Sequence, residues 1–193
     1  MYTRAMLNGH PSLIGAERVE IRLAGEGGQG MILAGVILAE AAAIYDGKNA
    51  IQTQSYGPEA RGGASKSEVV IGSGELDYPE VLNADVLLAL SQEACDKYAS
   101  NLKKGGVLIV DEEKVTRVPV SHAIKAPILR QALETTGKTI TANVVALGVL
   151  VGVTGIVSRE SIEKAVLARA PKGTEEMNRA ALAAGFSLAE ALL

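Results

Sequence analysis

One cysteine, Cys95, stands in a chain of 193 residues. No internal disulfide can form, and a four-cysteine iron–sulfur site cannot be built from this chain alone. Two histidines, His10 and His122, are too few for a histidine-rich zinc centre. Tryptophan is absent, Phe186 is the one phenylalanine, and aromatics make up 3% of the chain. Stacking platforms for single-stranded nucleic acid are therefore missing. A basic surplus is missing too: 19 Lys and Arg stand against 22 Asp and Glu, a net charge of −3. We expect neither a nucleic-acid partner nor a membrane-surface one. The longest apolar runs are interrupted by glycine and fall short of a membrane span. Residues 1–15 carry neither a continuous apolar stretch nor a cleavage pattern, so we expect no export signal and a cytoplasmic protein.

What is present is glycine, 21 residues of it, and it is clustered. Hydrophobic residues at 48% and charged residues at 21% suit a soluble globular chain. No internal repeat or linker divides it. We expect residues 1–17 to be a flexible extension and 18–193 to form a single domain.

Val19 to Ala24 alternates with period two and predicts a first strand. Met31 to Ile44 is apolar almost all round and predicts a helix buried on several sides. Ala50–Gln54 and Ser65–Ile71 predict strands, and Val86–Leu90 and Val107–Val110 are short continuous apolar runs suited to inner strands. Ser91 is a helix cap, with Lys103 and Lys104 before Gly105-Gly106 expected at that helix's end. Val118–Ile124 predicts a further strand, and 126–136 a helix. The last third predicts helices over Asn143–Val153, after Ser158 and after Thr174. Strands alternating with helices imply an α/β, three-layer, Rossmann-like fold, with a largely parallel or mixed sheet and a helical C-terminal third.

The first glycine cluster, Gly25-Glu-Gly27-Gly28-Gln29-Gly30, lies between the first strand and the first helix. Glycines permit tight turns and close backbone approach, and free N–H groups at a helix start favour an anion. A nicotinamide enzyme should also carry an acid at the end of the second strand; Gln54 stands there instead. No Lys-Ser/Thr pair closes the loop as in a nucleotide P-loop. The second cluster runs from Gln52 through Ser65 around Gln54, Ser55, Tyr56, Arg61, Gly62 and Gly63. Loops at the carboxyl ends of parallel strands gather at the ligand crevice. Arg61 suits an anion. Tyr56 suits either a ligand or a subunit interface. Cys95 reads as an inert buried thiol, His122 as structural, Asn143 as an N-cap, and the ridge Met177, Ala180, Ala181, Ala184 as core.

Together, GEGGQG and QTQSYGPEARGGASKSEVVI resemble the gamma subunit of 2-oxoacid:ferredoxin oxidoreductases, in particular the 2-oxoglutarate type. The resemblance continues through Asp85–Leu90, the Gly105-Gly106 turn before Val107–Asp111, Asn143–Gly148 and Pro171-Lys-Gly-Thr-Glu-Glu-Met-Asn178, and covers residues 18–190. It implies one subunit of an enzyme that decarboxylates a 2-oxoacid oxidatively, transfers the acyl group to coenzyme A and reduces ferredoxin. For 2-oxoglutarate the product is succinyl-CoA. It implies larger alpha and beta partners with thiamine diphosphate between them, and iron–sulfur clusters on beta or on a ferredoxin-like delta subunit. This chain lacks a GDG…NN thiamine diphosphate motif. We expect it to hold no catalytic residue, no metal and no cofactor alone, and to be inactive by itself. Its candidate coenzyme A contacts are Gly25, Gly27, Gly28, Gln29, Gly30, Gln54, Ser55, Tyr56, Arg61, Gly62 and Gly63. Two other readings stay open: a stand-alone dinucleotide-binding oxidoreductase, and a purely structural subunit whose loops only dock partners. Self-association of the isolated chain is open as well.

Overall fold

The computed structural model describes residues 6–7, 10–11, 13–55, 64–120 and 122–193. Its frame is a six-stranded sheet. In chain order the elements are β1 (Arg18–Gly25), α1 (Met31–Glu40), β2 (Asn49–Ser55), β3 (Ser65–Gly72), β4 (Ala84–Ala89), α2 (Gln92–Tyr98), β5 (Leu102–Asp111), β6 (Ala123–Ala126), α3 (Ile128–Thr136), α4 (Ala142–Thr154), α5 (Arg159–Arg169) and α6 (Glu175–Leu192). The spatial order is β2–β3–β1–β4–β5–β6. Pairs β1–β4, β4–β5 and β5–β6 are parallel, while β3 runs antiparallel to both of its neighbours. The sheet is thus largely parallel with one reversed strand, an α/β fold of the expected class. All strands but β3 end at one edge of the sheet.

The strands alternate because each sheet face meets a different layer. Val19, Ile21 and Leu23 of β1 join Val86 and Leu88 of β4 and Val107 and Ile109 of β5 in the main core, under the helices α1, α3, α4, α5 and α6. Ala24, Leu87, Ala89, Leu108 and Val110 point the other way, to a smaller core under α2. Every residue of β4 is buried, as its unbroken apolar run predicts for a strand covered on both faces. On the α2 face Arg22 is buried and pairs with Glu68 at 2.7 Å; it also donates to Val81 O and stacks 5.1 Å from the Tyr98 ring.

Helix α4 is apolar all round because it is enclosed: every residue but Gly152 is buried. At Gly148 and Gly185 it meets α6 backbone against backbone. A Cβ on Gly148 would lie 2.5 Å from Leu182 O and 2.8 Å from Gly185 Cα. Ser158 caps α5, its hydroxyl accepting from Ser161 N at 3.1 Å.

Several expected boundaries differ. The first helix is regular only to Glu40; Ala41–Tyr45 widens into a π turn closed by Asp46 N to Ala41 O. That turn brings the Asp46 carboxylate onto the start of α5, where it accepts from Ser158 N at 2.9 Å and Ser158 Oγ at 2.8 Å. Lys103 to Gly106 do not end α2 but lie in β5. Their glycines make a bulge, with Gly105 at φ 76 and the β4–β5 register slipping between Ala84 and Val86. The strand expected over Val118–Ile124 is Ala123–Ala126, since Pro119 has no N–H for a ladder. Thr141, not Asn143, is the N-cap of α4. On α6 the buried residues are Ala181, Leu182, Gly185 and Ala189, while Ala180 is exposed. The close approach at Gly185 sets that contact line one residue away from the expected ridge.

Candidate functional site

Strand β1 delivers the first glycine loop to the sheet edge where the parallel strands end. The loop is shaped by its own residues. Gly28 and Gly30 take φ values of 90 and 74, open to glycine at little cost. A Cβ on Gly25 would collide with the Gln29 side chain. Gln29 is a tie: its Oε1 accepts from Glu26 N at 2.8 Å and its Nε2 donates to Leu90 O at 3.2 Å, fastening the loop to the end of β4. Gly27 is exposed with open space around it.

The stems of the second loop arrive beside the first. Ser65 pairs with Gly25 in the β1–β3 ladder, and its hydroxyl donates to Gly25 O at 3.2 Å. Gln54 and Ser55, both exposed, end β2 at the same edge. The structure therefore brings the first glycine loop and the stems of the second together at one edge of the sheet. Tyr56, Arg61, Gly62 and Gly63 lie outside the described residues.

A cavity of about 400 Å³ opens where the first loop meets the helical layer. Gly28 and Gly30 line it; Gly25, Gly27, Gln29, Gln54 and Ser55 do not. Its other walls come from segments far away in sequence. Lys138, Ile140, Thr141, Asn143 and Val144 lead into α4; Val166 and Arg169 end α5; Pro171, Thr174, Met177 and Asn178 open α6. Two of these segments, Asn143–Gly148 and Pro171–Asn178, carry the family resemblance. They were legible as signature segments but not as site residues. A polar Asn143 in an otherwise apolar helix was the available signal.

The N-terminal turns of α1 and α4 both face this space. Gly30 and Thr141 are their N-caps; neither helix has a side-chain cap bond or an acid in its first turn. Apart from Val144 N, which donates to Asn143 Oδ1, their first-turn amides are left for an anion. Lys138 and Arg169 are the charged residues among those lining the cavity, and no Asp or Glu does so. Arg169 is held by Glu40, its Nε 3.0 Å from Oε2, and this pair raises the guanidinium pKa further. Asn178 Nδ2 donates to Thr174 O at 2.9 Å and to Thr174 Oγ1 at 3.1 Å.

Asn143 is 5% exposed. Its Oδ1 accepts from Val144 N at 2.9 Å. Its Nδ2 has no acceptor among the described residues. No fully enclosed side-chain nitrogen or oxygen there lacks a partner, so Nδ2 reaches the cavity space. The wall around it is apolar: Ile37, Val144, Val166 and Met177, with Leu33 and Ile140 exposed at the rim.

Cys95 is fully buried away from this site, and burial followed by Asp96 raises its thiol pKa. That is an inert thiol. His122 is exposed. Among the described residues no three His, Cys, Asp or Glu converge to hold a metal.

The family model for pyruvate ferredoxin/flavodoxin oxidoreductase matches residues 20–188. The chain belongs to that family. Within the pyruvate ferredoxin/flavodoxin oxidoreductases it is 55% identical over 180 residues to the 2-oxoglutarate synthase subunit KorC of Methanocaldococcus jannaschii, covering 91% of this chain and 96% of the relative. A crystal structure of a keto/oxoacid ferredoxin oxidoreductase gamma subunit from Geobacter sulfurreducens superposes with a TM-score of 0.84 at 55% identity, covering 92% of this chain and 99% of that one. The 2-oxoglutarate:ferredoxin oxidoreductase of Magnetococcus marinus, solved with 2-oxoglutarate, coenzyme A and succinyl-CoA bound, superposes with a TM-score of 0.80 at 25% identity. That match covers 92% of this chain and 32% of the longer one.

Proposed function

We propose that this chain is the gamma subunit of a 2-oxoglutarate:ferredoxin oxidoreductase and that it helps bind or gate coenzyme A. The observation that carries the subunit reading is the 55% identity to a 2-oxoglutarate synthase subunit, which extends over nearly the whole of both chains. The assembled enzyme decarboxylates 2-oxoglutarate, passes two electrons to ferredoxin and releases the acyl group as succinyl-CoA. Thiamine diphosphate and the iron–sulfur clusters belong to alpha, beta and, where present, delta partners. Such an enzyme works in the cytoplasm; no described helix is long and apolar enough to cross a membrane.

The coenzyme A role is supported by the cavity. It joins two helix N-termini whose cap residues make no side-chain bond, two cationic side chains and an apolar wall, and no carboxylate lines it. Coenzyme A is a polyanion on an organic body, and this is the chemistry such a site favours. The flanking loop adds Gln54, Ser55, Tyr56, Arg61, Gly62 and Gly63 as candidate contacts. A dinucleotide-dependent dehydrogenase is disfavoured because β2 ends on Gln52-Thr-Gln-Ser55, with no acid to hold a ribose. A docking role has its own support in Ile140 and Leu33, 72% and 43% exposed at the cavity rim.

The experiment is anaerobic purification of the tagged chain from its host, followed by viologen reduction with 2-oxoglutarate and coenzyme A. Two larger co-purifying subunits with activity are expected; a lone inactive chain overturns the subunit reading. In the assembled enzyme, Arg61→Ala raises KM for coenzyme A if the loop binds it. Loss of assembly instead supports docking, and no effect overturns both loop roles.

A further inference from the structure

We infer that Asn143 is the recognition residue of the cavity, its side-chain amide donating to a phosphoryl oxygen of a ligand seated between the N-termini of α1 and α4. The inference deepens the coenzyme A reading and rests on it for the identity of the ligand alone.

Four observations converge on this residue. It is almost fully buried, yet its Nδ2 has no acceptor among the described residues and reaches the cavity. Val144 N is taken by Asn143 Oδ1, but the other first-turn amides of both helices face the same space with no acid beside them. The cavity has cations but no carboxylate on its lining, in a chain whose net charge is −3. Gly30 clears the approach: a Cβ there would sit 2.7 Å from Nδ2 and cover it. Gly30 therefore serves twice, once for its φ of 74 and once as the open face over the Asn143 amide.

The rest of the lining is largely apolar, from Ile37, Val144, Val166 and Met177. It suits a flat or aliphatic body attached to the phosphate. At about 400 Å³ the cavity takes a nucleotide-sized portion and leaves the rest of a longer ligand outside. The chemical class is thus a phosphorylated nucleoside, free or as the head of a coenzyme.

The test uses the full chain, labelled with ¹⁵N and titrated with adenosine 3′,5′-bisphosphate, with pantetheine and with inorganic phosphate. The Asn143 side-chain amide pair is assigned by its loss in Asn143→Asp. We expect that pair to shift saturably with the bisphosphate and to stay still with pantetheine. Asn143→Asp, which replaces a donor with a charge of the ligand's own sign, should weaken bisphosphate binding more than tenfold. Asn143→Ala should weaken it less. If neither variant folds, the pair is assigned through its couplings to the Asn143 backbone in doubly labelled chain, and the wild-type titration still decides. Bisphosphate or phosphate binding that leaves the amide pair unmoved overturns the inference, as does no response to either at 10 mM. A shift with inorganic phosphate alone keeps Asn143 as an anion donor and counts against the coenzyme. The coenzyme reading itself stands or falls on KM in the assembled enzyme, a separate readout.

Discussion

Replacing Gly185 by alanine puts a methyl group where two helix backbones touch. The new Cβ would fall inside van der Waals contact of Val145 O and 2.8 Å from Gly148 Cα. Neither is a side chain that can swing away, so α4 and α6 must separate. Overpacking of a tight core costs about 1–3 kcal/mol, and a rigid backbone neighbour argues for the upper end. Alanine returns about 1 kcal/mol of helix propensity over glycine. The expected net loss is about 2 kcal/mol, or a melting point lower by about 4–8 °C in a chain of this size. The assay is thermal and urea denaturation of the purified chain. Gly74→Ala is the control, because a Cβ there meets nothing within 4 Å and the position is not at positive φ. The two helices also hold opposite walls of the cavity, Asn143 and Val144 on one and Met177 and Asn178 on the other. Bisphosphate binding should therefore weaken in Gly185→Ala alongside stability. Adding Gly148→Ala should cost less than the first change did, since the helices are already apart. A Gly185→Ala protein as stable as the parent refutes the argument from backbone contact.

Arg22→Met should destabilise the chain by about 1.5–3 kcal/mol, the worth of hydrogen bonds to a charged group, because Lys66 Nζ at 2.9 Å still pairs with Glu68; removing Lys66 as well should raise the loss to about 3–5 kcal/mol in urea titrations, since the buried carboxylate is then unpaired. Asp46 gives a pH dependence. Burial alone would raise its pKa, but hydrogen bonds from Ser161 and Ser158 and the charge of Lys48 outweigh burial and hold it low. A pKa lower in the folded chain than in the unfolded one stabilises above the unfolded value, about 3.9, and that stability fades as pH falls toward the folded one. Asp46→Ala should remove this acid-side loss and lower stability at neutral pH, as melting curves from pH 7 to pH 3 would record. Ser91→Ala should cost about 1 kcal/mol of stability, since its hydroxyl accepts from Ala94 N at 3.2 Å. A thiol reagent should react with Cys95 only as fast as the chain opens; rapid labelling of the native chain would contradict its burial.

Local signals carried far in this sequence where one neighbour decided the outcome. Ser91 and Ser158 were legible as caps because capping involves residues three apart. Val86–Leu90 was legible as an inner strand because a run buried on both faces needs no polar alternate. Signals failed where a distant backbone decided. Lys103–Gly106 looked like a helix ending, yet Gly106 lies where a Cβ would be 3.0 Å from Asp85 O of the neighbouring strand. Asn143 looked like a cap because an asparagine before an apolar run usually is one; Thr141 sits where the chain enters the helix instead. The stems of both glycine clusters were legible as neighbours, since parallel strands end together. The cavity was not, because its walls come from four segments that only the tertiary packing of α1, α4, α5 and α6 brings together.

The reversed strand β3 has a consequence for how the chain is made. It lies between β1 and β2, while β4 takes the other side of β1. The central strand is thus synthesised first among the six and has neither neighbour when it leaves the ribosome. Val19, Ile21 and Leu23, fully buried in the finished fold, must wait for Ala89 to appear. That is about 65 residues, or roughly 3–13 s at 5–20 residues per second. Their cover from α4 comes later still. Until Gly72 completes β3 the nascent chain presents a sticky, unpaired strand, and until Ala89 completes β4 a strand paired on one side only, so a chaperone that shields it should raise the yield of folded protein more than one acting after release.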